Sequence, residues 1–314
     1  MVIVRTLNDC GGNMHTQRQL FCLVCLLIVS PLSHAVTVWS TSFSATGTES
    51  DQLITYDSAT PGTVNVIGST GVAENFAFYG LDFDATGKLY GYTADRSTGS
   101  LEPGGLYEID TATGAATFIG TGGVDAGGWL VDISYNPADG LMYGLQLRGS
   151  AQNRATILYT IDLTTGAATK IGDVSPFGFF PGGLATDASG GQSIFDAGDS
   201  HVWDLVGLNA TQLPLSTGFN SLTGNGLTVD WSRDGAMYLN GHENFFPGGV
   251  LPEAQFWTID PTTGMGTKLG TIGDGQTYRV VTLAIAPGQP VGRAPAPATL
   301  GLIAIGLAAM RRRR

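Results

Sequence analysis

Aromatic and polar residues in glycine-rich segments are the part of this sequence best suited to holding a ligand. The phrase Phe-Phe-Pro-Gly-Gly occurs twice, at 179–183 and 245–249, and a histidine and a glutamate lie just before the second copy. Aromatic rings beside glycine, asparagine and acids suit a sugar or peptide surface. We therefore predict a ligand surface that contains Trp129, Phe179, Phe180, His242, Glu243, Phe245 and Phe246. In a second interpretation these aromatics tuck beneath their loops and fill the centre of the fold, because aromatic side chains are usually buried.

Evidence for catalysis is sparse. After residue 35 the chain has two histidines, His201 and His242, whereas a zinc site normally needs three protein ligands. No G-x-S-x-G, H-E-x-x-H or phosphate-loop motif is present. Glu74, Asp125 and Glu243 could supply carboxylates to a divalent ion such as calcium, as in lactonase-type propellers. We predict no cofactor, with calcium as the one candidate.

The scaffold for these residues is repetitive. Asp57, Asp110, Asp162 and Asp260 follow similar hydrophobic phrases at intervals of 53, 52 and 98 residues, the last being two periods of 49. Each period contains four short strand-like segments separated by turn residues. Periods of about 40–50 residues with four strands are typical of β-propeller blades.

Counting the segments predicts the number of blades. Four full units run from Leu81 to about Gly270, leaving strand-like segments at 36–41, 53–57 and 63–67 and one more at 280–286. We therefore predict an all-β, five-bladed propeller with four-stranded blades, in which strands from both termini close the last blade. Such closure leaves no open sheet edge.

The repeated aspartates have two interpretations. Asp110, Asp162 and Asp260 each precede x-x-Thr-Gly, a pattern that could supply calcium ligands or simply build hairpin turns. Turn chemistry is the simpler explanation, and it predicts a positive φ at the glycines of these turns: Gly114, Gly166 and Gly264. Tyrosines at one repeated position are expected to pack between blades: Tyr90, Tyr143 and Tyr238.

Charge and cysteine content narrow the function classes. Residues 36–288 contain eight lysines and arginines against twenty-five aspartates and glutamates, a net charge of −17. Such a domain repels nucleic acid and anionic lipid. All three cysteines lie before residue 36, so the rest of the chain is held together without disulfides.

Both ends of the chain look like export signals. An apolar stretch at 20–35 ends in Ser33-His34-Ala35, which suits a signal peptide of residues 1–35. Residues 36–288 then form the propeller and 289–294 a spacer. At the other end, residues 295–314 contain a proline-framed motif, a thirteen-residue apolar run and a basic end. That run is shorter than the roughly 20 residues of a permanent membrane helix, and arginines favour the cytoplasmic side.

The C-terminal segment resembles the PEP-CTERM sorting signal of Gram-negative bacteria. The resemblance rests on Pro295, Ala296, Pro297, Arg311, Arg312, Arg313 and Arg314, with alanine where the family has glutamate. It implies transient insertion of this segment in the inner membrane, recognition by an exosortase-like enzyme, and transfer to the cell surface or extracellular matrix.

Three functional hypotheses follow. The first is a non-catalytic, surface-sorted binding or matrix protein associated with exopolysaccharide. The alternative is a metal-dependent hydrolase or lactonase-type propeller, and the third is a purely structural propeller. The sequence favours the first over an enzyme because no catalytic motif is present.

Overall fold

The five predicted blades are present. A computed structural model describes residues 35–43, 51–97, 101–149, 153–176, 180–219, 228–231, 235–242 and 253–287. All regular structure within these ranges is β-strand, arranged in five antiparallel sheets. The innermost strands of successive sheets lie side by side around a central channel. The protein is therefore an all-β, five-bladed β-propeller.

The strands assort into blades in chain order. The first three, β1 (Thr37–Phe43), β2 (Gln52–Asp57) and β3 (Thr60–Ser69), belong to the sheet that closes the ring, here called blade 5. Blade 1 contains β4 (Phe76–Phe83), β5 (Leu89–Asp95), β6 (Glu102–Ile109) and β7 (Ala116–Gly120). Blade 2 contains β8 (Gly128–Asn136), β9 (Leu141–Arg148), β10 (Ala155–Ile161) and β11 (Ala168–Asp173). Blade 3 contains β12 (Pro181–Thr186), β13 (Gln192–Asp196), β14 (His201–Val206) and β15 (Asn209–Ser216). Blade 4 contains β16 (Thr228–Trp231), β17 (Met237–His242), β18 (Ala254–Ile259) and β19 (Gly266–Thr271). The chain then returns to blade 5 as β20 (Arg279–Val280) and β21 (Ala284–Ile285).

Strands from both termini close blade 5, as predicted. The returning segment is not one strand, however: β20 and β21 each pair with β1, and the residues between them leave the ladder. At this gap Thr282 Oγ1 accepts a hydrogen bond from the backbone N–H of Thr41 at 2.7 Å. The carbonyl of Thr282 accepts bonds from Ser40 Oγ at 2.5 Å and from Asn240 Nδ2 at 2.8 Å. Side-chain bonds thus replace the missing ladder bonds.

The hydrophobic core is divided among the blade interfaces. Five clusters of buried residues are found in the described part of the chain, one between each pair of neighbouring blades. The predicted packing of the repeated tyrosines is confirmed, since Tyr90, Tyr143 and Tyr238 each join such a cluster. Tyr238 stacks on Phe256 with ring centroids 5.3 Å apart.

The repeated aspartates build turns, as predicted. Oδ1 of Asp162 accepts the N–H groups of Thr164 and Thr165 at 2.7 and 3.0 Å, and Asp110 and Asp260 bond in the same way. The following glycines have positive φ, between 71° and 85°: Gly114, Gly166 and Gly264. This backbone conformation suits glycine because it has no Cβ.

These turns also form the seam between blades. A Cβ placed on Gly120, at the end of blade 1, would lie 2.0 Å from the carbonyl oxygen of Thr165 in blade 2. One placed on Gly68, in blade 5, would lie 2.2 Å from the carbonyl oxygen of Thr113 in blade 1. The second glycine of the repeat is therefore explained by close approach of the next blade's turn.

Both ends of the described domain lie on one face of the ring, the face formed by the hairpin turns. Val36 exchanges backbone and side-chain hydrogen bonds with Ser58, in the turn between β2 and β3. Ile285 pairs with Val38 at the same end of β1. We call this the turn face and its opposite the loop face. No helix that could cross a membrane is found among the described residues, and the predicted sorting signal at 295–314 lies outside them.

Candidate functional site

A cavity of about 360 Å³ opens at the turn-face end of the central channel. Strand ends and turns from blades 1 to 4 and the end of β21 contribute to it. Its lining combines carboxylates, a hydroxyl group and apolar surface, and consists of Asp82, Phe83, Asp84, Ala85, Tyr135, Pro137, Thr186, Asp187, Ala188, Asp230, Ile285 and Pro287. The volume is within the roughly 300–1,000 Å³ usual for small-molecule sites.

Buried carboxylates tie the innermost strands together beside this cavity. Oδ2 of Asp82 accepts the backbone N–H of Tyr135 in the next blade at 2.6 Å, and its Oδ1 accepts the N–H of Phe83 at 2.6 Å. Oδ2 of Asp132 accepts the N–H of Leu184, one blade further on, at 3.0 Å. Burial of such a group is tolerable only because these hydrogen bonds replace those to water.

A third carboxylate makes the same kind of bond between blade 4 and blade 5. Oδ2 of Asp230, on β16, accepts the N–H of Ile285 on β21 at 2.8 Å. Among the described residues, an aspartate on the innermost strand thus bridges to the backbone of the following blade at three of the five seams. At the seam between blades 5 and 1, Asp51, which lies just before β2, accepts the N–H of Phe78 at 3.0 Å. The seam between blades 2 and 3 has a further bond, from Ser134 Oγ to Thr186 Oγ1 at 2.9 Å.

The protonation of these groups is displaced by their surroundings. Burial raises the pKa of Asp82 to about 7, although the N–H groups of Tyr135 and Phe83 oppose the rise. Burial also raises the pKa of Asp132 well above its usual range, and the like charges of Asp230 and Asp82 add to that effect. Desolvation disfavours the charged form of a carboxyl group, and a neighbouring carboxylate does the same.

Two further carboxylates line the cavity from turns. Oδ1 of Asp84 accepts N–H groups of Thr86 and Lys88 at 2.8 and 3.0 Å. Oδ1 of Asp187 accepts those of Ser189 and Gly191, both at 2.8 Å. Hydrogen bonds from Ser189 and the turn backbone lower the pKa of Asp187 in spite of its partial burial. Asp187 is therefore a fixed negative charge at the cavity.

The chemistry of the cavity follows from its lining. None of the described residues that line it is lysine, arginine or histidine. Carboxylates accept hydrogen bonds from hydroxyl or ammonium groups, and unpaired negative charge repels anions. The cavity therefore suits a neutral polyhydroxylated or a cationic small molecule.

Two of the aromatic residues predicted to bind a ligand, Trp129 and Phe180, lie towards the loop face. Trp129, at the start of β8, is partly buried and lies edge-on to Tyr79, with ring centroids 6.1 Å apart. Phe180 lies just before β12, and the guanidinium of Arg154 is 4.6 Å from its ring centroid. Both aromatic residues pack against the hydrophobic cluster between blades 2 and 3. These two side chains therefore pack beneath the loops.

Of the five other predicted residues, the structure describes His242, which does not join that group. His242 is buried at the end of β17, where it pairs with Ala254 in blade 4. Four lie outside the described residues: Phe179, Glu243, Phe245 and Phe246. Ligand binding by the seven residues remains a prediction.

Of the acids considered for a divalent ion, Glu74 and Asp125 do not line the cavity, and Glu243 lies outside the described residues. Asp125 makes ion pairs with Arg148 at 3.1 Å and Lys170 at 3.5 Å. The carbonyl of Glu74 accepts a hydrogen bond from Arg96. In the described part of the chain no group of three or more histidine, cysteine, aspartate or glutamate side chains is arranged to hold a metal ion. Calcium binding therefore stays a prediction.

Sequence reasoning missed the cavity. Asp84 belongs to a local turn, in which its Oδ1 accepts the N–H of Thr86. A usable signal was present in the aspartates that stand inside strands, Asp82, Asp132 and Asp230. A carboxylate inside an otherwise apolar strand is rarely buried unless a partner satisfies it.

Comparisons with known proteins add a likeness of fold. No protein-family profile and no curated protein sequence matches the chain. Among solved structures, a protein from Lactobacillus plantarum is 13% identical with a TM-score of 0.44, over 80% of this chain and 99% of that one. A gluconolactonase from Xanthomonas campestris is 13% identical with a TM-score of 0.40, over 78% and 79% of the two chains. The calcium-binding protein regucalcin from Agrobacterium tumefaciens is 14% identical with a TM-score of 0.40, over 77% and 78%. Likeness at this level concerns the fold alone.

Proposed function

We propose that the protein is an exported propeller that binds a small polyhydroxylated molecule, such as the end of a polysaccharide chain, in the channel cavity. The observation that supports the proposal is the lining of that cavity, with four carboxylates and no cationic side chain among the described residues. Sugar hydroxyl groups donate to carboxylates. The apolar surface of Phe83, Pro137 and Ile285 suits the C–H faces of a sugar ring.

The proposed location rests on the two chain ends. Cleavage after Ala35 exports the chain, and an exosortase-like enzyme acts on the segment containing Pro295, Ala296 and Pro297. The four terminal arginines hold the precursor in the inner membrane until then. The mature protein then belongs at the cell surface or in the extracellular matrix, where polysaccharide is available.

A glycan array on the purified 36–288 domain, repeated with and without calcium, identifies the ligand. Isothermal titration with the best ligand then compares the wild type with Asp187→Asn. This change removes a negative charge from the cavity, while the asparagine oxygen can still accept the bonds of the turn. We expect affinity to fall about tenfold or more, since a hydrogen bond to a charged group contributes about 1.5–3 kcal/mol.

Asp162→Asn is the matched control. It makes the same change in a similar turn whose residues do not line the cavity, and affinity should not change. Equal losses in the two variants, or a ligand that is unaffected by Asp187→Asn but lost on replacing Phe180 by alanine, would place binding elsewhere. Binding to no glycan under either condition would favour the hypothesis of a purely structural propeller.

A hydrolase or lactonase is the second candidate, because one cavity carboxyl has a pKa suited to proton transfer. A general acid or base works best with a pKa near the working pH, and that of Asp82 is raised to about 7. The described residues offer no three-ligand metal group, so the candidate rests on this carboxyl. Hydrolysis of sugar lactones, followed with and without calcium and lost in Asp82→Asn, would favour it over simple binding.

A further inference from the structure

Arg154 and Phe180 make a contact at the loop face that the proposed cavity function does not use. Arg154 lies just before β10 in blade 2 and Phe180 just before β12 in blade 3, so their contact crosses the seam between these blades. The guanidinium carbon is 4.6 Å from the centroid of the ring, which is within the range of a cation–π contact. Both side chains are partly exposed. We call this pair the loop-face corner.

The aromatic half of the loop-face corner is fixed in position. The N–H of Phe180 donates to Oδ1 of Asp196 at 2.9 Å, and its carbonyl accepts the N–H of Ala197 at 2.8 Å. The ring packs against the hydrophobic clusters on both sides of blade 3. Arg154 therefore rests on a surface that is already ordered, and a guanidinium held in this way loses little freedom when it binds a ligand.

The guanidinium of Arg154 has donors that the described residues leave unused. Arginine has five N–H donors in a planar fork, and within the described part of the chain those of Arg154 form no ion pair or hydrogen bond. The buried carboxyl group of Asp196 feels its charge but bonds to backbone N–H groups instead. The segments next to the corner in the chain, 150–152 and 177–179, contain no aspartate or glutamate. Carboxylates pair instead with other cations: Lys88, Arg148, Lys170 and Lys268.

Positive charge is concentrated at this end of blade 2. Residues 36–288 contain eight lysines and arginines, and blade 2 has three of them, Arg148, Arg154 and Lys170. Arg148 pairs with Ala155 across β9 and β10, so Arg148 and Arg154 lie at the same end of this hairpin. Asp125 forms ion pairs with Arg148 and Lys170. In a domain with a large excess of acids, the loop-face corner is thus a place where an anionic group meets a cation.

The two halves of the corner recognise different parts of one kind of ligand. The planar fork of a guanidinium matches a carboxylate and can bind it with two parallel hydrogen bonds. The apolar surface of Phe180, which packs against the same cluster as Trp129, suits the C–H faces of a sugar ring. A sugar that bears a carboxylate, a uronic acid, has both groups.

We propose that Arg154 and Phe180 form a binding site for a uronic acid residue of a polysaccharide, with its carboxylate on the guanidinium and its ring beside Phe180 and Trp129. The site is at the face opposite the channel cavity, and the inference does not depend on binding there. Because the carboxylates of the cavity repel anions, the two sites select different sugars. The loop face therefore serves acidic polysaccharide.

Isothermal titration of the purified protein with trimers of galacturonic acid and of mannuronic acid tests the site. The methyl ester of each trimer is the matched probe, because it keeps the sugar ring and removes the negative charge. At least one acid should bind about tenfold or more tightly than its ester, as expected for hydrogen bonds between charged groups. Triglutamate, which has carboxylates but no sugar ring, should bind more weakly than that acid.

Variants at the corner assign the binding to its residues. Arg154→Gln should weaken binding of the acid about tenfold or more and leave that of the ester unchanged. Arg154→Lys should give an intermediate loss, since lysine keeps the charge but lacks the planar fork. Arg96→Gln is the matched control, because it also removes one positive charge, from a guanidinium that bonds to the carbonyl of Glu74 in another part of the loop face. Its affinity should equal that of the wild type.

Several results would overturn the proposal. Equal binding of acid and ester, or binding of neither acid, would do so in the wild type alone, whether or not Arg154→Gln folds. Equal losses in Arg154→Gln and Arg96→Gln would show a general effect of charge, and triglutamate that binds as tightly as the sugar acids would show that no sugar is recognised. Asp187→Asn separates the two sites, since a loss of uronic acid binding in that variant would move the acid to the cavity.

Discussion

At the scale of single residues, the repeat of this protein is explained by contact between blades as much as by turns. The aspartate of each clear copy bonds to its own turn, as Asp162 does, and this could be predicted locally. The glycine that ends each copy has no such local role. Gly120 is required because the backbone of Thr165, from the following blade, occupies the space where a Cβ would be.

Gly120→Ala is therefore expected to destabilise the propeller. Its Cβ would lie 2.0 Å from a carbonyl oxygen of the next blade, and overpacking of this kind costs about 1–3 kcal/mol. Tm should fall by about 2–12 °C for a domain of this size, which differential scanning calorimetry would measure.

Gly62→Ala is the comparison. A Cβ at Gly62 has its nearest neighbours at 3.9 Å, and its backbone is outside the positive-φ region. We expect a change within about 0.5 kcal/mol. If both alanine variants have the same Tm as the wild type, close approach does not explain the repeated glycine.

At the scale of elements, the closing strand is the least regular part of the ring. β20 and β21 contribute two residues each, and Thr282 between them bonds to β1 and to blade 4. The closure thus combines short ladders with β1, a backbone bond from the N–H of Val281 to the carbonyl of Thr41, and the side-chain bond of Thr282. The buried hydroxyl group of Thr282 therefore contributes directly to the contact between the returning segment and β1.

Thr282→Val tests that dependence. Valine keeps the shape of the side chain but leaves the backbone N–H of Thr41 without its acceptor, and an unsatisfied buried donor costs about 1–3 kcal/mol. Denaturant unfolding should show this loss, and hydrogen exchange should show weaker protection in β1 first. Thr117→Val, an exposed change on β7, should be nearly neutral, and equal losses in both variants would contradict the assigned role.

Some elements of the ring could be predicted from the sequence and others could not. Blade number and the shared fifth blade follow from the spacing of Asp57, Asp110, Asp162 and Asp260, because a repeated turn is local chemistry. The split at Thr282 could not be predicted, since the acceptors and donors it meets are more than 40 residues away. The cavity could not be predicted for the same reason, because its aspartates come from three blades and meet only when the ring closes.

At the scale of the whole molecule, the described ring is complete by β21. The cluster between blades 4 and 5 already contains Val280, Leu283 and Ile285 from the returning segment. Residues after Pro287 are therefore not needed to fill the core seen here.

A chain that ends at Gly288 should fold as the longer one does. We expect its Tm to lie within about 2 °C of the Tm of the longer chain. The reason is that removal of residues outside the core has little effect on stability. Circular dichroism and calorimetry of the two proteins would check this. A truncated chain that stays unfolded would show that the C-terminal segment has a structural role.

The position of the two chain ends has a practical consequence for experiments on immobilised protein. Val36 and Ile285 both lie at the turn face, and Pro287 lines the cavity itself. A sensor chip or bead attached through either terminus would hold the cavity against the support and leave the loop face, with Trp129 and Phe180, turned towards the solution. A ligand that binds free protein but not tethered protein would therefore report on the cavity, and one that binds both equally would report on the loop face.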